Sequence, residues 1–351
     1  GFAGGSLACG PGGEVVHRSV LWDEALDNVG VDLTDTPEVA DARDSDRELS
    51  PVLRRQEADD EARERGNARL AEPDERACDA GLLDIDEQLV EDWLVRFLDE
   101  ELHRRRGFGH AVVGLSGGVD SAVTAALCAR ALGPENVTGF LLPYRTSSAE
   151  SVDHAMLVAD RLGILTRKIE ITAAVDGYLA EFEADADARR RGNVMARVRM
   201  IVLFDQAAKL RALPVGTGNK SERLLGYYTW HADDSPPINP LGDLFKTQVW
   251  ALARHLGLPN EVIDKPASAD LVVGQTDEDD LGVSYTEADL VLLHLIEGRT
   301  PEWLVKAGFD AEKVTLVRNR LESTHWKRYM PTVAMLSSTT IGEWYLRPVD
   351  Y

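Results

Sequence analysis

The chain has 351 residues, a length that predicts two domains or one large domain with an appendage. No apolar run approaches the ~20 residues that a membrane-crossing helix needs, so we expect no membrane partner. The formal net charge of −22 would repel phosphate backbones, which argues against a nucleic-acid partner. Three widely spaced cysteines fit neither a disulfide framework nor a Cys-x-x-Cys metal site, and they predict a reducing, cytoplasmic setting.

The composition divides the chain into three parts. Residues 1–34 are rich in glycine, and residues 35–82 are dense in charged residues with few aliphatic ones, as in a linker. Residues 83–351 form the main body. The chain begins with Gly1 rather than Met and has no signal segment, which we interpret as a cut through a longer gene product.

The main body alternates predicted helices and strands. Its first segment, residues 86–106, repeats apolar side chains at helical spacing and predicts an amphipathic helix. The elements expected next, in chain order, are a strand (111–115), a helix (121–132), a strand (137–142), a helix (149–162), a strand (167–171), a helix (189–211) and a short strand (213–215). This alternation predicts an α/β fold, a doubly wound parallel sheet with flanking helices, followed by a helical C-terminal part.

A glycine-rich loop, Ser116-Gly-Gly-Val-Asp-Ser121, joins the first strand of the body to a helix. Unpaired N–H groups and the positive end of a helix dipole meet at such a junction, so an anion site is expected. The glycines allow close approach, the two serines offer hydroxyl donors, and Asp120 offers a ligand for magnesium. A tight turn without a ligand is the alternative, and the combination of residue types favours the phosphate site. Neither a GxxxxGK[ST] loop nor a GxGxxG fingerprint occurs.

Further polar residues follow downstream. Arg197 shares a helix face with Asn193, although a surface arginine is the simpler interpretation of that position alone. A second glycine loop offers Thr217 as a hydroxyl donor and Glu222 as a hard oxygen ligand for magnesium. Lys246 begins an amphipathic helix, where an ammonium group would meet a polyphosphate unless it is an ordinary solvated lysine.

Together these segments resemble the NAD+ synthetase family of the pyrophosphatase-type loop ATPases, over about residues 86–335. The motifs that carry the resemblance are SGG.DS from Ser116, GN..AR.RM from Gly192, GT.N.SE from Gly216, KTQV from Lys246, P.SADL from Pro266 and GQTDE..LG.SY from Gly274. The resemblance implies an adenine nucleotide alpha hydrolase-like fold. It also implies that the carboxylate of deamido-NAD attacks the α-phosphate of ATP, and that ammonia, free or from glutamine, then displaces AMP to give NAD+.

The resemblance also implies residue roles. Those implied for ATP are Gly114, Leu115, Ser116, Gly117, Gly118, Val119, Asp120, Ser121, Arg145, Thr217, Lys246 and Ser268. Those implied for deamido-NAD are Arg197, Asp233, Trp326 and Lys327. The implied magnesium ligands are Asp120 and Glu222, and the residues implied in catalysis are Ser116, Asp120, Ser121 and Lys246. Members of the family form homodimers or larger homo-oligomers, so the same is expected here.

One position departs from the family pattern. Many members carry Thr-Lys-Tyr-Gly-Asp, whose lysine contacts the dinucleotide, whereas this chain has Trp230 at the place of that lysine. An indole cannot donate a charged hydrogen bond, but it can stack on a nicotinate or adenine ring.

Two questions stay open at this point. Residues 1–34 resemble the closing strands of a nitrilase-type amidase domain, which supplies ammonia from glutamine in longer NAD+ synthetases, and a generic glycine-rich hairpin is the alternative. The rival functions are another adenylating enzyme, such as a tRNA thiolation enzyme, and a non-catalytic nucleotide-binding regulator. The acidic charge and scattered cysteines argue against the thiolation enzyme.

Overall fold

The computed structural model describes residues 7–9, 15–18, 73, 76–268, 276–329, 331 and 333–334. The chain divides into two units, residues 1–71 and residues 72–351. In the first unit, strand β1 (Leu7–Cys9) pairs antiparallel with strand β2 (Val15–Arg18). Most of the predicted linker lies outside the described residues, and the bounds of the three predicted parts stay predictions.

The second unit is built on a parallel sheet of four strands in the order β5-β4-β3-β6. The strands are β3 (Ala111–Gly114), β4 (Val137–Leu141), β5 (Leu165–Lys168) and β6 (Leu213–Pro214). Strand β5 begins two residues earlier than predicted, because the preceding helix ends at Gly163 in the left-handed conformation and the chain enters the sheet at once. Beyond it, the N–H of Ile169 still donates to Leu141 O at 2.9 Å.

Helices cover both faces of this sheet, which confirms the doubly wound α/β fold. The first five are α1 (Glu87–Leu98), α2 (Val119–Leu132), α3 (Ala149–Leu162), α4 (Thr172–Phe182) and α5 (Ala188–Leu210). Alternate residues of β3 point to opposite faces. Val113 packs in the core with α1, α2 and α3, whereas Val112 packs in the core with α4 and α5. The predicted helix 86–106 continues past α1, with Asp99–Arg104 wound as a π-helix.

The remaining helices form the predicted helical C-terminal part. They are α6 (Lys220–Leu225), α7 (Lys246–His255), α8 (Asn260–Ile263), α9 (Asp277–Leu281), α10 (Tyr285–Ile296), α11 (Pro301–Ala307) and α12 (Ala311–Ser323). Their core surrounds the buried side chains of Tyr285, Leu292 and Leu304. Within the described part of the chain, no helix is both long and apolar enough to span a bilayer.

Candidate active site

The glycine-rich loop lies at the carboxyl end of the central strand β3, where ligands bind in open α/β sheets. The N–H of Leu115 still donates to Phe140 O at 2.9 Å, so the sheet pairing continues up to the loop. The chain then turns at Gly117, whose φ is +78°, and α2 begins after Gly118. Glycine has no side chain that could cap the helix, so the first-turn N–H groups of α2 are left for an anion.

Helix α3 packs closely against this loop. A Cβ on Gly117 would lie 2.2 Å from the carbonyl oxygen of Ser151, which no real contact allows. The hydroxyl of Ser151 also accepts a hydrogen bond from Lys265 Nζ at 2.9 Å. The segment before Ser268 is therefore linked to the loop by way of Ser151 on α3. Ser268 itself is exposed.

The two serines of the loop hold its shape. Ser121 Oγ donates to Gly118 O at 3.0 Å and lies 3.2 Å from Ser116 Oγ, which accepts from the N–H of Gly118 at 3.2 Å. Ser121 is buried and Ser116 is exposed. Ser116 is therefore the serine whose hydroxyl an incoming ligand would meet first.

A buried lysine lies among carboxylates beside the loop. Lys246 is 2% exposed, and its ammonium forms an ion pair with Asp120 Oδ2 and lies 3.7 Å from Glu222 Oε1. Burial lowers the pKa of Lys246, but the negative charges of Asp120 and Glu222 outweigh burial, so the pKa is raised and the ammonium stays charged. The ring centroid of Tyr285 lies 5.4 Å from the same ammonium.

Glu222 is held in an electrostatically unfavourable position. Burial first, and then repulsion from Asp120, raise the pKa of Glu222 to about 8. A capping box fixes the residue at the start of α6, because the N–H of Glu222 donates to Asn219 Oδ1 at 2.9 Å. The amide of Asn219 also donates to Asp120 Oδ1 at 2.8 Å, which joins the second glycine loop to the first.

The donor set fits a magnesium ion. The carboxylates of Asp120 and Glu222 both lie beside the ammonium of Lys246, so two hard oxygen ligands face one point. Mg2+ is commonly bound by one or two carboxylates together with substrate phosphates and water. Among the described residues, no group of three or more His, Cys, Asp and Glu side chains is arranged to enclose a metal by itself, so substrate oxygens would have to complete the shell.

Sequence reasoning missed two members of this cluster. Asn219 bridges the two glycine loops, and Asp277 is a buried carboxyl that accepts from Tyr285 Oη at 3.3 Å. Burial raises the pKa of Asp277, although the positive charge of Lys246 acts to lower it. Both residues stand inside quoted motifs, GT.N.SE and GQTDE, and that membership is the signal in the sequence that points to them.

The residues expected at the dinucleotide form a second cluster. Arg197 Nη2 donates to Trp230 O at 3.1 Å, and the ring of Trp230 meets Trp326 edge to face with centroids 5.2 Å apart. The hydroxyl of Thr229 donates to Asn193 Oδ1 at 3.1 Å, which ties the same loop to α5. The structure therefore brings together residues from three distant parts of the chain.

Lys327 and Asp233 are engaged with backbone groups in this cluster. Lys327 Nζ donates to Gly226 O at 2.7 Å and to Tyr228 O at 2.9 Å, while Tyr228 Oη donates back to Lys327 O at 2.7 Å. Asp233 Oδ2 accepts from the N–H of Thr229 at 2.7 Å. These contacts fasten the C-terminal segment over the loop that carries Trp230.

Two other expected ATP residues lie in loops after separate strands. Arg145 is exposed after β4, where it forms an ion pair with Asp176 at 2.7 Å. Thr217 is half-buried in the loop after β6, two residues before Asn219. Their roles stay predictions.

The glycine-rich loop at the carboxyl end of β3 and the carboxylate–lysine cluster beside it stand on an α/β fold of the adenine nucleotide alpha hydrolase type. Within that class, the model of the NAD synthase family matches residues 90–331. The chain belongs to the NAD synthase family, whose members are carbon–nitrogen ligases.

Individual proteins and solved structures are similar to this chain. The NH3-dependent NAD+ synthetase of Chlorobaculum parvum is 48% identical over 266 residues, covering 74% of this chain and 94% of the relative. The solved NH3-dependent NAD synthetase of Campylobacter jejuni is 32% identical with a TM-score of 0.62, covering 72% of this chain and 100% of that one. The NMN synthetase of Francisella tularensis is 30% identical with a TM-score of 0.64, covering 72% and 99%.

Proposed function

We propose that this chain is an ammonia-dependent NAD+ synthetase. It transfers the AMP part of ATP to the carboxylate of deamido-NAD, releases pyrophosphate, and lets ammonia displace AMP to leave NAD+. The observation that carries the proposal is the cluster of Asp120, Glu222 and Lys246 beside the glycine-rich loop. The 48% identity to an NH3-dependent NAD+ synthetase over nearly all of that relative supports the choice of acceptor and nitrogen donor.

In this proposal, the ATP phosphates bind at the N-terminus of α2. The N–H groups there and the hydroxyl of Ser116 receive the oxygens, and Lys246 places a fixed positive charge beside them. Asp120 and Glu222 would hold Mg2+, which neutralises phosphate charge when it is bound. Because these charges are fixed before the reaction starts, little reorganisation is needed when pyrophosphate leaves.

The dinucleotide binds at the second cluster. Arg197 supplies a guanidinium for a phosphate or carboxylate, and Trp230 and Trp326 form an aromatic corner on which a flat ring can stack. The indole at position 230 thereby replaces a charged contact by a stacking one. We propose a homodimer as the assembly, in line with the family resemblance.

A product assay tests the proposal. The protein is incubated with ATP, Mg2+, deamido-NAD and ammonium, and NAD+, AMP and ADP are quantified. We expect NAD+ and AMP in equal amounts, no ADP, and no NAD+ from the Asp120→Asn variant. Two further arms replace deamido-NAD by nicotinic acid mononucleotide and ammonium by glutamine. A preference for the mononucleotide would assign the activity named for the Francisella protein. The absence of any amide product would contradict the proposed reaction.

A further inference from the structure

A buried carboxylate outside both clusters contacts the two helices that carry the ATP-site residues. Asp289 lies on α10 and is 0% exposed. One of its oxygens accepts a hydrogen bond from Ser221 Oγ, and the other accepts from Thr247 N at 3.0 Å and from Thr247 Oγ1 at 2.9 Å. All of these donors belong to the first turns of α6 and α7.

The donors of Asp289 are the chain neighbours of the site residues. Ser221 immediately precedes Glu222, and Thr247 immediately follows Lys246. The serine hydroxyl also accepts from the N–H of Lys246 at 2.9 Å, which links the start of α6 to the start of α7 directly. A negative charge at two helix N-termini is favourable, because it complements the positive ends of both dipoles.

We propose that Asp289 is a positioning residue for the ATP and magnesium site, which sets the separation of Glu222 and Lys246 by holding the first turns of their two helices together. The inference rests on the proposed function, since it assigns Asp289 to the ATP half of that reaction. The carboxylate touches neither substrate nor metal in this account. It acts through its hydrogen bonds with Ser221 and Thr247.

The chemistry of these contacts shows what an amide at this position would lose. Asp289 is surrounded by donors on both oxygens, so an asparagine side chain at this position would have to turn its NH2 group towards a hydroxyl or an N–H. Towards Ser221, the NH2 group would reverse the hydrogen bond and leave the serine proton without its acceptor; towards Thr247, it would oppose the backbone N–H. A misplacement of about 1 Å in a reacting group can cost a factor of about 100 in rate.

The test uses Asp289→Asn, Ser221→Ala and the double variant, with Glu287→Gln as the matched control. Glu287 is on the same helix, but its carboxylate pairs with Lys313 and Ser284 and not with α6 or α7. We expect Asp289→Asn to lower kcat/KM for ATP by about 10-fold to 100-fold, with KM for deamido-NAD within about twofold of the parent. Because Ser221 and Asp289 act as one unit, the double variant should lose no more than the worse single variant.

Calorimetric binding of Mg2+ with a non-cleavable ATP analogue gives a readout that is independent of turnover. Affinity for the analogue should fall in Asp289→Asn and Ser221→Ala and stay at the parental value in Glu287→Gln. Parental analogue affinity in folded Asp289→Asn, or fully additive losses in the double variant, would overturn the positioning role. If Asp289→Asn does not fold, the same criteria apply to Ser221→Ala. A parent protein that binds the analogue but makes no NAD+ would instead refute the proposed function alone.

Discussion

Asp120 and Lys246 form an ion pair across 126 residues of sequence, between the first turn of α2 and the first residue of α7. Lys246 is almost completely buried, so each charge depends on the other for compensation. The pair joins the glycine-rich loop to the helical C-terminal part. The polyphosphate of ATP binds at this place in the proposed function.

Removal of the lysine charge should abolish most of the activity. Lys246→Met keeps the length of the side chain but leaves the two carboxylates without their cation. We expect kcat/KM for ATP to fall by about 100-fold to 1,000-fold, the size of the loss when one preorganised charge or donor is removed. Steady-state kinetics with Lys313→Met as a surface control measure this. A Lys246→Met enzyme within fivefold of the parent would contradict the charge role.

Magnesium binding should tighten as pH rises, because a metal ligand must lose its proton first. The pKa of Glu222 is raised to about 8 by burial and by Asp120, so its proton competes with the metal below that pH. Because the pKa of Glu222 is raised in the folded state, its protonated form stabilises the metal-free protein at acid pH. That contribution is lost as the pH rises through about 8 and the group ionises. In the presence of the non-cleavable ATP analogue, Mg2+ should therefore raise Tm more at about pH 8.5 than at about pH 6.5.

The matched variant for this measurement is Glu222→Gln, which cannot titrate. Its Tm should respond to Mg2+ weakly and equally at both pH values. A parent protein whose Tm shift with Mg2+ is the same at both pH values would contradict the assignment of Glu222 as a ligand.

Alanine at position 117 should damage both stability and ATP binding. Gly117 has a φ of +78°, which costs a residue with a Cβ about 1–2 kcal/mol, and that Cβ would also overlap Ser151 O. Gly177 on α4 is the control, because a Cβ there would meet nothing within 4 Å. Urea unfolding should show Gly117→Ala destabilised and Gly177→Ala unchanged or slightly more stable. Equal stability of the two variants would refute the close approach of α3 to the loop.

The aromatic corner should affect one substrate only. Trp230→Ala removes the indole that meets Trp326, so we expect KM for deamido-NAD to rise by about 5-fold to 20-fold, the worth of one stacking contact. KM for ATP should stay within twofold of the parent. Trp230→Phe keeps an aromatic face and should recover most of the loss. An equal rise in both KM values would argue against a stacking role.

Much of the fold could be predicted from the sequence, because the signals were local. Helix α3 was predicted with the observed bounds, 149–162, since Ser148 caps its start and Gly163 ends it. Strand β5 begins two residues before the predicted 167–171, because its sequence has no strict apolar alternation, and the apolar Ile169 and Ile171 lie past its end. The π-helical turn after α1 has no marker in the residues themselves.

The site was less predictable, because its contacts join distant segments. The motifs identified Asp120, Glu222 and Lys246, but no spacing rule places Asn219 between the two glycine loops. Asp289 gave no signal of its own, since it is one of several polar residues on α10 and its role shows only when its buried partners are seen. Lys327 was expected at the substrate, and its bonds to two backbone carbonyls became visible only in three dimensions.

The central claim is that the carboxylate of deamido-NAD is joined directly to the α-phosphate of ATP. Deamido-NAD with a heavy isotope at both carboxylate oxygens should therefore transfer one labelled oxygen to AMP for each NAD+ formed, which mass spectrometry of the AMP measures. We predict one label per AMP. AMP without label, or formation of ADP together with labelled inorganic phosphate, would contradict the account.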